Sequence, residues 1–143
     1  MPQQNYQNHV RRVPGFLALL LILLATFIGA GVNLYRSIGD HQRLYSASLI
    51  LVLSACTFFC AGFGRTFALK AQDRAIGAEE NLRHYVLTGK LIDRKLTPKQ
   101  IVALRFADDD EFADLARRAA SENMAPDDIK QKVKNWRADN YRV

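Results

Sequence analysis

The chain has 143 residues, 49% of them hydrophobic, and 20 lysines and arginines against 14 aspartates and glutamates give it a net charge of +6. A chain of this length makes one small unit, and its apolar runs take up too much of it to leave a large catalytic core. The positive charge is spread along the whole sequence and not gathered into the basic face that nucleic-acid binding requires.

Residues 1–14 form a polar N-terminal segment that ends in Arg11, Arg12 and Pro14. Residues 15–34 (GFLALLLILLATFIGAGVNL) and 44–64 (LYSASLILVLSACTFFCAGFG) then carry no charge at all. At about 1.5 Å per residue, either run as a helix crosses the roughly 30 Å hydrocarbon layer, where only a helix satisfies the backbone of such a segment. Arg11-Arg12 and the small residues near Gly29 and Gly31 give the first run some likeness to a signal peptide. Its length, the poor fit of Ile28 to a cleavage site and the nearby second run favour a retained span.

Residues 35–43 read as a short outer loop that turns at Gly39-Asp40. Arg11, Arg12, Arg65, Lys70, Arg74 and Arg83 on one side outweigh Arg36 and Arg43 on the other, which places both termini in the cytoplasm. Tyr6, Tyr35 and Tyr45 fall where aromatic belts sit at membrane interfaces. Small residues at fourfold spacing, Ala25 and Gly29 in the first span and Cys56, Cys60 and Gly64 in the second, are candidates for span packing. The first set lies near the outer end and the second near the inner end, so the two do not simply face each other. The cysteines read as small hydrophobes in that packing, not as redox or metal groups. With no charge inside either span, an ion path through this chain alone is not expected.

Residues 65–88 continue without a break into a juxtamembrane helix. Ala68, Ala71, Ala75, Ala78, Leu82 and Tyr85 follow a 3-4-3-4-3 spacing, a heptad seam suited to close approach of another helix. The partner is either the chain's own C-terminal helices, a second copy, or a different membrane protein. The seam lacks the bulky apolar residues of a lipid-surface helix. Glu79–Arg83 and Glu80–His84 are spaced as supporting pairs on the helix surface.

Thr88-Gly89 stops that helix, and residues 89–143 read as a cytoplasmic mini-domain of three short helices. The first starts at a capping box, Thr97 with Pro98 and Gln100, and carries Ile101, Val102, Leu104 and Phe106. The second starts at Asp108 with Glu111 three residues on and buries Phe112, Leu115, Ala116 and Ala119. In the third, Pro126 stands in the first turn and Ile129, Val133 and Trp136 share a face, with Trp136 as a core anchor. Charge alternates from +4 over 90–105 to −6 over 108–128 and +4 over 130–142, so the acidic helix can sit between two basic segments.

No catalytic, cofactor-binding or metal set emerges. Asp108–Glu111 reads as a favoured helix start, since positions 113 and 119 lack the glycine and glutamate of a calcium loop. The serines and threonines have no base partner in the pattern of an activated nucleophile.

The stretches QNYQNHVRRVP (4–14), RTFALKAQDRAIGAEENLRHYVLTGKL (65–91), IVALRFADDDEF and IKQKVKNWRADNYRV resemble a family of small bacterial two-span membrane proteins catalogued only as a domain of unknown function. Gly77 stands where that family's pattern has a larger, often basic residue, and Ala125 where it has a serine cap, which implies a frayed start to the last helix. The resemblance implies the two-span topology and no activity, substrate or cofactor.

The expected fold is therefore an all-α membrane protein: a transmembrane hairpin, a second span continuing into a cytoplasmic helix, and a three-helix C-terminal domain. The expected role is a non-enzymatic inner-membrane protein that touches lipid and uses its cytoplasmic helices to bind a protein partner or itself. The alternatives are a small accessory subunit of a larger respiratory or transport complex, an enzyme with a cytoplasmic site, and a nucleic-acid-binding anchor.

Overall fold

The computed structural model describes residues 4–10 and 13–139. Arg11 and Arg12, which carry part of the basic asymmetry, lie outside the described residues. Those described form five helices and no strands: α1 Pro14–Arg36, α2 His41–Thr88, α3 Pro98–Leu104, α4 Asp109–Ser121 and α5 Pro126–Lys132. Both α1 and α2 are long and apolar enough to cross a membrane. The 48 residues of α2 extend about 72 Å, more than twice the hydrocarbon thickness. The chain divides into two compact units, residues 12–68 and residues 1–11 with 69–143.

In the first unit the loop expected over 35–43 contracts to the four residues between α1 and α2. Helix persists to Arg36 because Ser37 closes it, its hydroxyl donating to the Asn33 carbonyl at 2.8 Å. Asp40 starts α2 by accepting from the backbone N–H groups of Gln42 at 3.1 Å and Arg43 at 3.3 Å. Gly39, at φ +97°, makes the turn between them. Among its described residues the unit buries only small side chains, Ala30, Ser37, Ala47 and Ser54. Along α2 they fall on a stripe with the half-buried Leu44, Leu51, Phe58 and Ala61, at alternating spacings of three and four. The Ser54 hydroxyl is satisfied by the Leu51 carbonyl at 2.8 Å. The Arg65 guanidinium lies over the ring of Phe16, 5.5 Å from its centroid.

The second unit has a conventional apolar core. Phe106, Phe112, Leu104 and Ile129 are fully buried where α3, α4 and α5 pack on one another. Thr97 and Gln100 form the expected capping box at α3, and the Gln100 amide also donates to the Met124 carbonyl at 2.8 Å. The stripe expected on α4 is buried in full. α2 ends at Thr88, with Gly89 at φ +73° and its N–H donating to the Tyr85 carbonyl at 2.8 Å.

Three local expectations change. Glu111 does not cap its own helix; its carboxylate accepts from the backbone N–H groups of Lys134 and Asn135 at 3.0 Å each. α5 is shorter than the Ile129–Val133–Trp136 spacing implies, ending at Lys132 with Val133 extended. Tertiary contacts draw the following residues out straight: Ala107 and Trp136 form an isolated antiparallel bridge, and the Arg137 N–H donates to the Phe106 carbonyl at 2.8 Å. Trp136 thus reaches the Phe106 ring, 4.8 Å between centroids, from an extended segment and not from a helix face. Ala125 stands at the α5 N-cap without a side-chain cap bond, yet the first turn closes through the Ile129 N–H to the Ala125 carbonyl at 3.0 Å.

The N-terminal segment belongs to this unit. The His9 ring meets Phe106 edge-on at 5.5 Å, Trp136 at 5.8 Å and Tyr6 in a stack at 5.7 Å. The Tyr6 hydroxyl accepts from the Gln131 amide at 3.1 Å, and the Gln4 side-chain Oε1 from the Asp139 backbone N–H at 2.8 Å. Tyr6, expected as an interfacial belt residue, is thus part of an aromatic cluster on the C-terminal core.

Candidate functional site

The distal part of α2 presents two faces. Ile76 and Glu80 are buried on one of them, which is organised around Arg83. That guanidinium pairs with Glu80 at 3.0 Å and Asp109 at 2.6 Å, donates to the Ala107 carbonyl at 2.8 Å, and lies 4.3 Å from the centroid of the Phe112 ring. Arg137 approaches the other oxygen of Glu80 at 3.8 Å. The Asn81 side-chain Oδ1 accepts from the Ile92 backbone N–H at 3.0 Å, and His84 Nδ1 lies 2.7 Å from the Lys90 carbonyl. The Glu79–Arg83 and Glu80–His84 pairs do not form, because Arg83 turns towards Glu80 and the start of α4 while His84 is held at the α2 terminus. A buried acid whose charge is matched by two arginines is a structural lock: removing either sign leaves the other uncompensated.

The opposite face holds the seam. Ala68, Ala71, Ala75, Ala78, Leu82 and Tyr85 are all exposed. At about 100° per residue this stripe lies roughly 140° around the helix from Ile76 and Glu80. The C-terminal helices therefore do not cover the seam, and of the partners the sequence left open, the chain's own core is the one the structure sets aside. Leu82 and Tyr85 leave 64% and 53% of their surface free.

The candidate span-packing residues are also exposed: Ala25, Gly29, Cys56, Cys60 and Gly64 all lie off the buried stripe. A Cβ added at Gly29 or Gly64 would meet nothing within 4 Å. The positions buried instead, Ala30 and Ala47, are equally small but sit on the heptad-spaced face. The fourfold spacing chosen from sequence had no means of selecting among several small-residue stripes.

Chemistry-bearing groups do not converge. Among the described residues no three of the histidine, cysteine, aspartate and glutamate side chains are placed to hold a metal ion. A groove of about 310 Å³ runs between the N-terminal segment, α3 and α5 past His9, Val102, Phe106 and Lys130. Two of its three Lys and Arg side chains are engaged: Lys130 pairs with Asp127 at 3.0 Å and the buried Arg105 with Asp139 at 2.7 Å. The docking of residues 4–10 on this core is the feature the sequence did not reveal; an aromatic and a histidine three apart is too short a signal.

No match is found among curated proteins or among solved structures. A family model matches residues 1–143 in full, and the chain belongs to that family, the family of unknown function DUF6526.

Proposed function

We propose that this chain is a non-enzymatic inner-membrane protein whose anchor presents α2 as a docking helix to a protein partner or to itself. α1 and α2 form a transmembrane hairpin, and α3–α5 form a three-helix cytoplasmic domain packed on the distal part of α2. The observation that carries this reading is the exposed seam of α2, which keeps Leu82 and Tyr85 in the open while the chain's own core occupies the other face. The topology has separate support. Residues 4–10 pack on the C-terminal core, and a chain that leaves and rejoins one compact unit crosses the membrane an even number of times. The basic asymmetry puts that unit in the cytoplasm.

The test is the native assembly. Extracted in mild detergent at native expression, the wild-type chain should migrate well above its 16.2 kDa mass. Ala75→Leu with Ala78→Leu keeps helix propensity but forces a close contact apart, typically at a cost of about 1–3 kcal/mol, and should dismantle that assembly while both spans still insert. A chain that is monomeric with or without the change would sink the proposal. For topology, a cysteine at Ile38 should react with an impermeant label in intact cells and one at Gln7 should not; the reverse pattern would invert the membrane orientation.

A further inference from the structure

We propose that the partner on the α2 seam is a second copy of this chain, held in a parallel, twofold pairing of the two α2 helices through residues 71–85. This rests on the interaction role proposed above and names its occupant. In heptad terms Ala71, Ala78 and Tyr85 take the d positions and Ala75 and Leu82 the a positions, the spacing of a two-stranded coil. Arg74 then stands at g and Glu79 at e. In a parallel pair each g residue lies beside the e residue five positions on in the other helix. Arg74 and Glu79 are five apart and opposite in sign, so a twofold axis brings each arginine to the other copy's glutamate, once on each side.

Both charges are exposed and available for this. Among the described residues neither Arg74 nor Glu79 enters an ion pair, although Glu80, Arg83, Asp109 and Arg137 beside them are linked to one another. The other flanking positions within 71–86, Gln72, Asn81 and Val86, are uncharged, so a parallel pair meets no like-charge opposition. This complementarity favours a copy over a foreign helix: a foreign partner must carry its own matching pair, whereas a copy supplies it by symmetry. The parallel sense follows from the membrane, because copies inserted the same way carry α2 in one direction. The second copy approaches the face that the C-terminal core leaves open.

The experiment uses the full chain in lipid nanodiscs, with two tags to score self-association. Arg74→Glu sets two glutamates together at each g–e contact of the pair, and Glu79→Arg sets two arginines together. Each alone should weaken self-association on the order of tenfold, since two attractive contacts become repulsive. The two single variants expressed together should associate with each other at wild-type strength, because both mixed contacts are again opposite in sign. The combined R74E/E79R chain should also recover. A cysteine at Ala78 in a Cys56→Ala, Cys60→Ala background should form a disulfide between copies under mild oxidation. Wild-type strength in both single variants, or failure of the combined chain to recover, overturns the proposed register. A wild-type chain that stays monomeric, while Ala75→Leu with Ala78→Leu still dismantles a larger native assembly, overturns the second copy and leaves the interaction role standing. If that substitution changes nothing either, both are overturned.

Discussion

Residues 12–68 bury Ala30, Ser37, Ala47 and Ser54 and leave Leu21, Ile22, Leu53 and Phe59 outside, whereas the C-terminal unit encloses Phe106, Phe112, Leu104 and Ile129 and turns most of its charges outward. In water the first arrangement would be costly, at about 25 cal/mol for each Å² of exposed apolar surface. In hydrocarbon that term vanishes: a leucine gains nothing by leaving lipid, and what holds helices together is close backbone approach and satisfied polar groups. Small side chains and a self-bonded serine serve that purpose. On the membrane placement proposed above, the two units apply one rule, minimising the mismatch between side chain and surroundings, in two different solvents.

The comparison can be broken at its strongest point first. Phe106→Ala removes a fully buried ring that touches His9, Trp136 and the Arg105 guanidinium, the last 4.0 Å from its centroid, and should cost about 3–5 kcal/mol. Trp136 fluorescence followed through urea unfolding of the full chain in detergent should show an early transition, with both spans still inserted. An unchanged midpoint would mean this core does not hold the unit together. Ala47→Leu tests the other regime. Ala47 is 1% exposed, and filling that contact should cost about 1–3 kcal/mol through overpacking, read as faster loss of the folded spans in detergent challenge. Leu21→Ala is the smallest effect. Leu21 is 67% exposed, and losing its side chain should shift that same measurement by no more than about 0.5 kcal/mol. A larger loss for Leu21→Ala than for Ala47→Leu would reverse the assignment of the buried stripe.

Features with a local cause were legible in the sequence. The apolar runs, the Thr97-Pro98-Gln100 cap, the Gly89 stop and the α4 stripe each follow from a few neighbouring residues, and all appear in the structure. Choices between equivalent local patterns were not. Two stripes of α2 have helical spacing, one of alanines and one through Ile76, Glu80 and Arg83. The second reads as a surface face because, beyond the local Glu80–Arg83 pair, its charges are matched by Asp109 and Arg137, residues distant in the chain. Trp136 keeps a helical interval from Ile129 and Val133, yet the bridge to Ala107 overrides it. The alanine stripe is plain from its spacing alone; that it stays open depends on which face α4 takes, and that is a tertiary fact.

The closure of residues 4–10 on the C-terminal core also bears on how the protein is made. The Tyr6–Gln131 and Gln4–Asp139 contacts join positions 125 and 135 apart, so residues 4–10 find these partners only after all five helices have been synthesised. Until then the segment waits undocked while α1–α5 emerge. Its docking therefore follows the synthesis of α5 and the residues after it. A chain truncated before Gln131 leaves the Tyr6 hydroxyl without its amide donor and His9 without the Trp136 ring.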